Sequence, residues 1–195
     1  MSNILESTDN LIDYYYFSNA FNDDEINLVK ELSKKFPTIS GNVSGNIDKS
    51  YRNSEITWLP YDNDTKWLYD KCMNYLVKAN SKKWNFHITN NKEHLQFTEY
   101  KGALTDDNQG HYDWHLDMGK NKASTRKISM SIQLSDESEY EGGDLEFMMS
   151  RTINKAPKTK GTIIFFPSYL LHRVTRVTSG TRNSLVSWFH GPRFS

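Results

Sequence analysis

Two histidines and one carboxylate, held on one side of a pair of strands, make a metal site, and this chain spaces such residues accordingly. His115-Leu-Asp117 comes first. In extended backbone alternate side chains share a face, so this imidazole and this carboxylate can reach one ion. His172, in Phe166-Pro-Ser-Tyr-Leu-Leu-His172-Arg-Val174, opens a later predicted strand and is the best third ligand. Such a set leaves other coordination positions open, which suits non-heme iron(II) that must take up a co-substrate and O2. The same ligands also suit zinc, so a zinc hydrolase stands as a rival reading. Arg182 follows ten residues on, in Ser179-Gly-Thr-Arg182, and a hairpin from 172 to 182 would bring the two side chains together. A guanidinium binds a carboxylate through two parallel hydrogen bonds, so Arg182 suits the distal carboxylate of a dicarboxylic co-substrate. A second His-x-Asp, His111-Tyr-Asp113, lies just upstream. On one straight strand all four residues face the same side, yet four residues span about 13 Å. Both pairs therefore cannot serve one ion, and periodicity does not choose between them.

The elements that must position these residues fall into two groups. Phe21 to Phe36 reads as a helix, with Asn22-Asp-Asp-Glu25 as cap and acidic first turn and Ile26, Val29, Leu32 and Phe36 at helical spacing. A second helix is predicted from about Asp64 to Ala79, with Leu68, Cys72, Leu76 and Ala79 on one stripe; Cys72 there is a small core residue. From about residue 94 the period changes to two. Strands are expected at 95–100, 111–117, 126–134, 143–147, 162–166, 171–177 and 184–189, with turns at 101–110, 118–125, 135–141, 150–160 and 178–180. In Arg126–Leu134 the apolar Ile128, Met130, Ile132 and Leu134 share one face, and Ser129, Ser131 and Gln133 share the other. The polar face goes either to water or to a wet barrel interior that holds a ligand. The expected class is α+β: one domain over 1–195, with a helical N-terminal support region at 1–93 and a β core at 94–195.

Composition narrows the function. The 195 residues carry 24 basic and 24 acidic side chains, so no overall basic footprint for nucleic acid exists and no nucleic-acid partner is expected. Lys155-Ala-Pro-Lys158-Thr-Lys160 is the densest basic stretch and reads as a solvated loop. A single cysteine excludes internal disulfides. The opening residues lack a basic segment followed by an apolar run, and no stretch approaches 18 apolar residues. A cytoplasmic protein without membrane association is the expectation; the sequence is silent on oligomeric state.

The segment from about residue 95 to 193 resembles the prolyl/lysyl hydroxylase-type, prolyl 4-hydroxylase-like branch of the 2-oxoglutarate- and Fe(II)-dependent oxygenases. The residues that carry the resemblance are Leu95-Gln-Phe-Thr-Glu-Tyr100, Tyr112-Asp-Trp-His115-Leu-Asp117, Arg126-Lys-Ile-Ser129 and Glu141-Gly-Gly-Asp-Leu145. Gly161-Thr-Ile-Ile-Phe-Phe-Pro-Ser168, Leu171-His172-Arg-Val174 and Thr178-Ser-Gly-Thr-Arg182 complete the ordered set. Trp58-Leu-Pro60, Ala79-Asn80 and Trp84-Asn-Phe86 are similar to the family's N-terminal part.

The resemblance implies a double-stranded β-helix, or jelly roll, buttressed by helices. It implies that His115, Asp117 and His172 hold iron and that Arg182 binds 2-oxoglutarate, with Tyr100 and Gln133 beside the co-substrate and Trp188 walling the pocket. It also settles the choice between the two His-x-Asp pairs: the family places a tyrosine three residues before its first ligand, and Tyr112 stands so relative to His115. His111 and Asp113 then become rim residues that, with Tyr112, could touch substrate. The implied cofactors are Fe(II), 2-oxoglutarate and O2, with ascorbate as a reductant. The implied substrate is a prolyl residue of a peptide or protein; lysyl or aspartyl residues and a free small metabolite are the alternatives. A non-catalytic jelly-roll binding module would need a lost ligand, and none of the three is missing. Halogenation needs a vacant carboxylate position, which Asp117 fills. One departure concerns Ala103–Gln109, an insertion relative to the family that is expected at the mouth of the site.

Overall fold

The computed structural model describes residues 13–41, 48–89 and 93–193. The opening residues, read above as lacking a leader, lie outside these. Thirteen strands are present among the described residues, and they form two antiparallel sheets with two helices on one outer face.

The larger sheet is built on the cleanest strand of the sequence, β7 (Arg126–Gln133). Around it lie β1 (Tyr15–Phe17), β11 (Ile163–Pro167), β13 (Val177–His190), β5 (Leu95–Lys101), β4 (Glu55–Leu59) and β2 (Thr38–Ser40), in the order β1-β11-β7-β13-β5-β4-β2. β8 (Tyr140–Gly142) pairs with the first part of β13. The smaller sheet runs β10 (Thr152–Lys155), β9 (Leu145–Met149), β12 (His172–Val174), β6 (His111–His115), β3 (Arg52–Asn53).

The alternation in β7 assigns its two faces. Ile128, Met130, Ile132 and Leu134 join Ile163, Phe165, Leu185 and Phe189 in a core that also takes Ile26 and Val29 of α1 (Asp23–Ser33). Leu68, Cys72, Leu76 and Ala79 of α2 (Lys66–Lys83) pack there too. Ser129, Ser131 and Gln133 lie on the opposite face, where Ser131 lines the cavity, Ser129 pairs with Ser168 and Gln133 bonds to Arg182. Between the sheets, Tyr14, Phe147, Ile164, Phe166 and Leu170 fill the closed end. The α1 start is as the sequence predicts: Asn22 Oδ1 accepts from the Glu25 amide at 2.9 Å, and the Asn22 amide donates to Glu25 at 3.0 Å. No helix of the described residues is long and apolar enough to cross a membrane.

Several expectations are corrected. The 1–93 region is not only helical: β1 to β4 lie in it and complete both sheets. Runs of two to five residues carry too little alternation to be read alone, and pairing partners supply what propensity does not. Within 150–160, Thr152–Lys155 is an edge strand. The expected turn at 178–180 lies inside β13, where Gly180 (φ +70°) packs its α-carbon against Glu139, leaving no room for a side chain. The expected strand at 143–147 is β9, which begins at Leu145, and the expected turn at 135–141 runs into β8; Gly142 and Gly143, both at positive φ, separate the two strands. His172 and Arg182 are not in one hairpin; β12 and β13 belong to opposite sheets.

Candidate active site

β6 ends at His115, two residues before Asp117, and it is not straight. Opposite β12, His115 pairs with His172 and Tyr112 with Val174, so three steps on β6 match two on β12. This bulge puts Tyr112 and His115 on the same face, where their rings stack at 3.5 Å. The Asp113 carboxylate accepts from the Trp114 amide at 2.7 Å and closes the bulge. His111 is thereby turned away. It is 5% exposed, and its ring nitrogens lie 2.9 Å and 3.0 Å from the carbonyls of Gln109 and Ser50. The rim position expected for His111 is therefore corrected, whereas Asp113 is exposed and Tyr112 lines the cavity.

Beyond the strand, the backbone of Asp117 is tied to the turn before β12, since the amides of Asp117 and Met118 donate to Ser168 O at 3.0 and 2.8 Å. This turn, and not strand alternation, brings the carboxylate beside both imidazoles. Asp117 Oδ1 lies 3.8 Å from His115 Nε2 and Oδ2 lies 3.4 Å from His172 Nε2. The potential ligand atoms all fall within 4.8 Å of one another.

Protonation fits a metal. Nδ1 of His115 donates to Asp113 O at 2.7 Å and Nδ1 of His172 to Leu170 O at 2.8 Å. Each Nε2 is then left with a lone pair aimed at the common point. Burial, reinforced by the neighbouring His172, pulls the His115 pKa down to about 3, so this imidazole is neutral near pH 7. Burial alone would raise the Asp117 pKa, but His172, His115, the Ser129 hydroxyl and Arg126 outweigh it, so its pKa is lowered and the carboxylate is charged. Lone pairs and a carboxylate converging in a low-dielectric site repel unless a cation lies among them. The donor set thus fits a divalent ion with nitrogen and oxygen ligands.

Across a cavity of about 680 Å³ sits Arg182, 1% exposed. It donates to Gln133 Oε1 at 2.9 Å and to Ser184 Oγ at 3.4 Å, while its Nε has no partner among the described residues. No carboxylate of the described residues is paired with it, and a buried guanidinium without one fits an anionic ligand. Gln133 does not line the cavity; its amide also donates to Pro157 O at 3.0 Å, so it is placed to orient Arg182 and not to meet a ligand. Tyr100, 3% exposed, lies under the guanidinium at 5.4 Å. Trp188, six residues beyond Arg182 on β13, walls the same cavity.

Sequence reasoning missed a clamp beside Asp117. Arg126 donates to Asp117 O at 3.1 Å, lies over the Trp188 ring at 3.9 Å and is gripped by both Glu93 oxygens. His190 Nε2 lies 2.9 Å from the same Glu93. Arg126 opens a recognisable strand, but Glu93 has no motif and meets it across 33 residues. The Ala103–Gln109 insertion does not line the cavity, against expectation; it packs on Asn53 and Arg176 at the side of β6.

This arrangement, an open two-histidine, one-carboxylate site facing a buried arginine inside a jelly roll, is that of an oxygenase class, and the comparisons agree. Residues 95–190 match the 2OG-Fe(II) oxygenase superfamily, and the chain belongs to it. A PKHD-type hydroxylase of Synechococcus sp. (strain CC9311) is 38% identical over 80 residues, 41% of this chain and 36% of that protein. Another, from Hyphomonas neptunium (strain ATCC 15444), is 40% identical over 84 residues, 40% of this chain and 36% of that one. The matched segment thus spans about a third of the length of these curated relatives. Among solved structures, a Pseudomonas putida prolyl-4-hydroxylase superposes with a TM-score of 0.71 at 17% identity, covering 92% of this chain and 93% of that one. A prolyl hydroxylase of Trichoplax adhaerens, in complex with a hypoxia inducible factor peptide fragment, superposes at 0.74 and 16% identity, covering 91% and 83%. At such identities these two share the fold.

Proposed function

We propose that this protein is an Fe(II)- and 2-oxoglutarate-dependent dioxygenase that hydroxylates an unactivated C–H bond of a prolyl residue in a peptide or protein. The observation that carries the reading is the convergence of His115, Asp117 and His172 on one point, with the Arg182 guanidinium, which meets no carboxylate among the described residues, across the same cavity. The family and the PKHD-type relatives support the chemistry, and the peptide in the Trichoplax structure supports a peptide substrate.

In this reading His115, Asp117 and His172 hold iron on one face and leave the cavity side open. Arg182 binds the distal carboxylate of 2-oxoglutarate, and Gln133 and Ser184 set the plane of its guanidinium. Tyr100 supports that plane from below, and Trp188 closes the wall. The Nδ1 bonds to Asp113 and Leu170 keep both imidazoles in the ligating tautomer. When bound, iron and 2-oxoglutarate supply the oxidising chemistry, in which O2 is consumed and succinate and CO2 are released. The buried walls limit water at the reacting centre. Residues 1–195 are read as one domain, since β1 to β4 complete sheets that the later strands begin.

The test is succinate formation from 2-oxoglutarate with Fe(II), together with a gain of one oxygen on proline peptides by mass spectrometry. Zinc binding without O2 consumption would overturn the reading in favour of a hydrolase.

A further inference from the structure

The cavity wall formed by the large sheet carries polar side chains at two levels. Arg182 on β13 and Tyr100 on β5 stand opposite each other and define the co-substrate end. Four residues back along β5, about 13 Å of strand, Gln96 lies between Trp58 on β4 and Val186 on β13. That span is longer than 2-oxoglutarate, so a co-substrate anchored at Arg182 does not cover Gln96. Trp58, Gln96 and Val186 all line the cavity, and the Trp58 ring lies 6.3 Å from that of Trp188. The surroundings of this one amide are therefore mostly apolar.

Gln96 is 4% exposed, and its amide is held in place: Nε2 donates to Oγ1 of the fully buried Thr98 at 2.8 Å. Oε1 has no hydrogen-bond partner among the described residues and is left to the cavity. Buried polar atoms in folded proteins are met as a rule. An acceptor fixed in an apolar wall favours a ligand that brings a donor to it and penalises one that does not.

We infer that Gln96 Oε1 accepts a hydrogen bond from a backbone N–H of the prime substrate, beside the Trp58 ring. This rests on the function proposed above and narrows its substrate to peptides that offer such a donor. A prolyl nitrogen inside a peptide carries no hydrogen, so the nearest donor is the N–H of the residue after the target proline. A second proline at that place is disfavoured. Thr98 is a positioning residue, since its hydroxyl decides that the Gln96 amide presents oxygen and not nitrogen.

The probes are a dye-labelled peptide of alanines around one proline and its twin, in which an ester oxygen replaces the N–H after the proline. Anisotropy is measured on protein loaded with Fe(II) and 2-oxoglutarate without O2. The wild type is expected to bind the amide peptide about three- to tenfold tighter than the ester. Gln96→Met, similar in size but without the acceptor, should bind the two alike. Thr98→Val, which frees the amide to turn, should narrow the gap. The wild-type comparison needs no variant, so the test stands if either variant fails to fold. Equal binding of the two peptides by the wild type, a preference that Gln96→Met retains, or binding of neither peptide overturns the inference. Succinate formation from 2-oxoglutarate in the same preparation separates this failure from failure of the oxygenase reading, which would abolish it.

Discussion

Arg182→Ala should weaken 2-oxoglutarate binding while leaving the metal site intact. The guanidinium is 1% exposed and opposite the triad, so the substitution touches no ligand. A hydrogen bond to a charged group contributes roughly 1.5–3 kcal/mol, and each 1.4 kcal/mol is about tenfold in affinity. The variant should therefore need about ten to a hundred times more 2-oxoglutarate. Stability should move differently. The wild type buries a cation whose Nε lacks a partner among the described residues, which is unfavourable without its anion. The substitution removes that cost but orphans Gln133 Oε1, worth about 1–3 kcal/mol. These opposing terms leave the ligand-free melting temperature little changed. Saturating 2-oxoglutarate should raise it in the wild type by linkage and much less in the variant. The assay is 2-oxoglutarate-dependent succinate release, paired with thermal melts in Mn(II), with and without 2-oxoglutarate. Unchanged affinity in the variant, or an equal rise in melting temperature, would refute the assignment and move the anchor to another cation.

The two His-x-Asp pairs should separate cleanly: His115→Ala loses iron binding and uncoupled turnover, whereas His111→Ala keeps the metal and loses stability, by titration and melting. Retained metal in His115→Ala would sink the assigned register. Glu93→Gln should lower metal affinity about three- to tenfold by loosening Arg126 on Asp117 O, a loss of up to about 1.5 kcal/mol for one weakened hydrogen bond, and Glu93→Asp should restore part of it. Equal metal affinity in wild type and Glu93→Gln would reduce the clamp to a surface pair. Burial pushes the Cys72 thiol up from 9.0 to about 12, so between those values the unfolded thiol ionises and the folded one does not. Stability is thus lost as pH rises through this window, by about 1.4 kcal/mol per unit once above 9. Cys72→Ala should lack that part of the alkaline decline in denaturant titrations; parallel declines would contradict it.

Local rules settled much of this protein. The helix at α1 was legible because its cap, acidic first turn and apolar stripe are all contained within a dozen residues. β7 was legible because a period of two over eight residues separates its apolar and polar faces, although only the second sheet decided that the polar face points inward. The ligand types, their order and Arg182 were legible as chemistry. What the sequence could not decide were matters of register and of which sheet a strand joins. One bulge, at Asp113 and Trp114, turns Tyr112 and His115 to the same face and sends His111 into the wall, because a single extra residue reverses side-chain direction in a strand. Asp117 reaches the triad through a turn bonded to Ser168, a contact 51 residues away that no periodicity encodes. Arg182 meets the site from the opposite sheet, and Gln133 serves the guanidinium instead of a ligand. The short strands β1 to β4 and the Glu93 clamp have no local signature, since their stability comes from partners distant in the chain. Sequence named the reactive groups; only long-range pairing fixed which way each of them points.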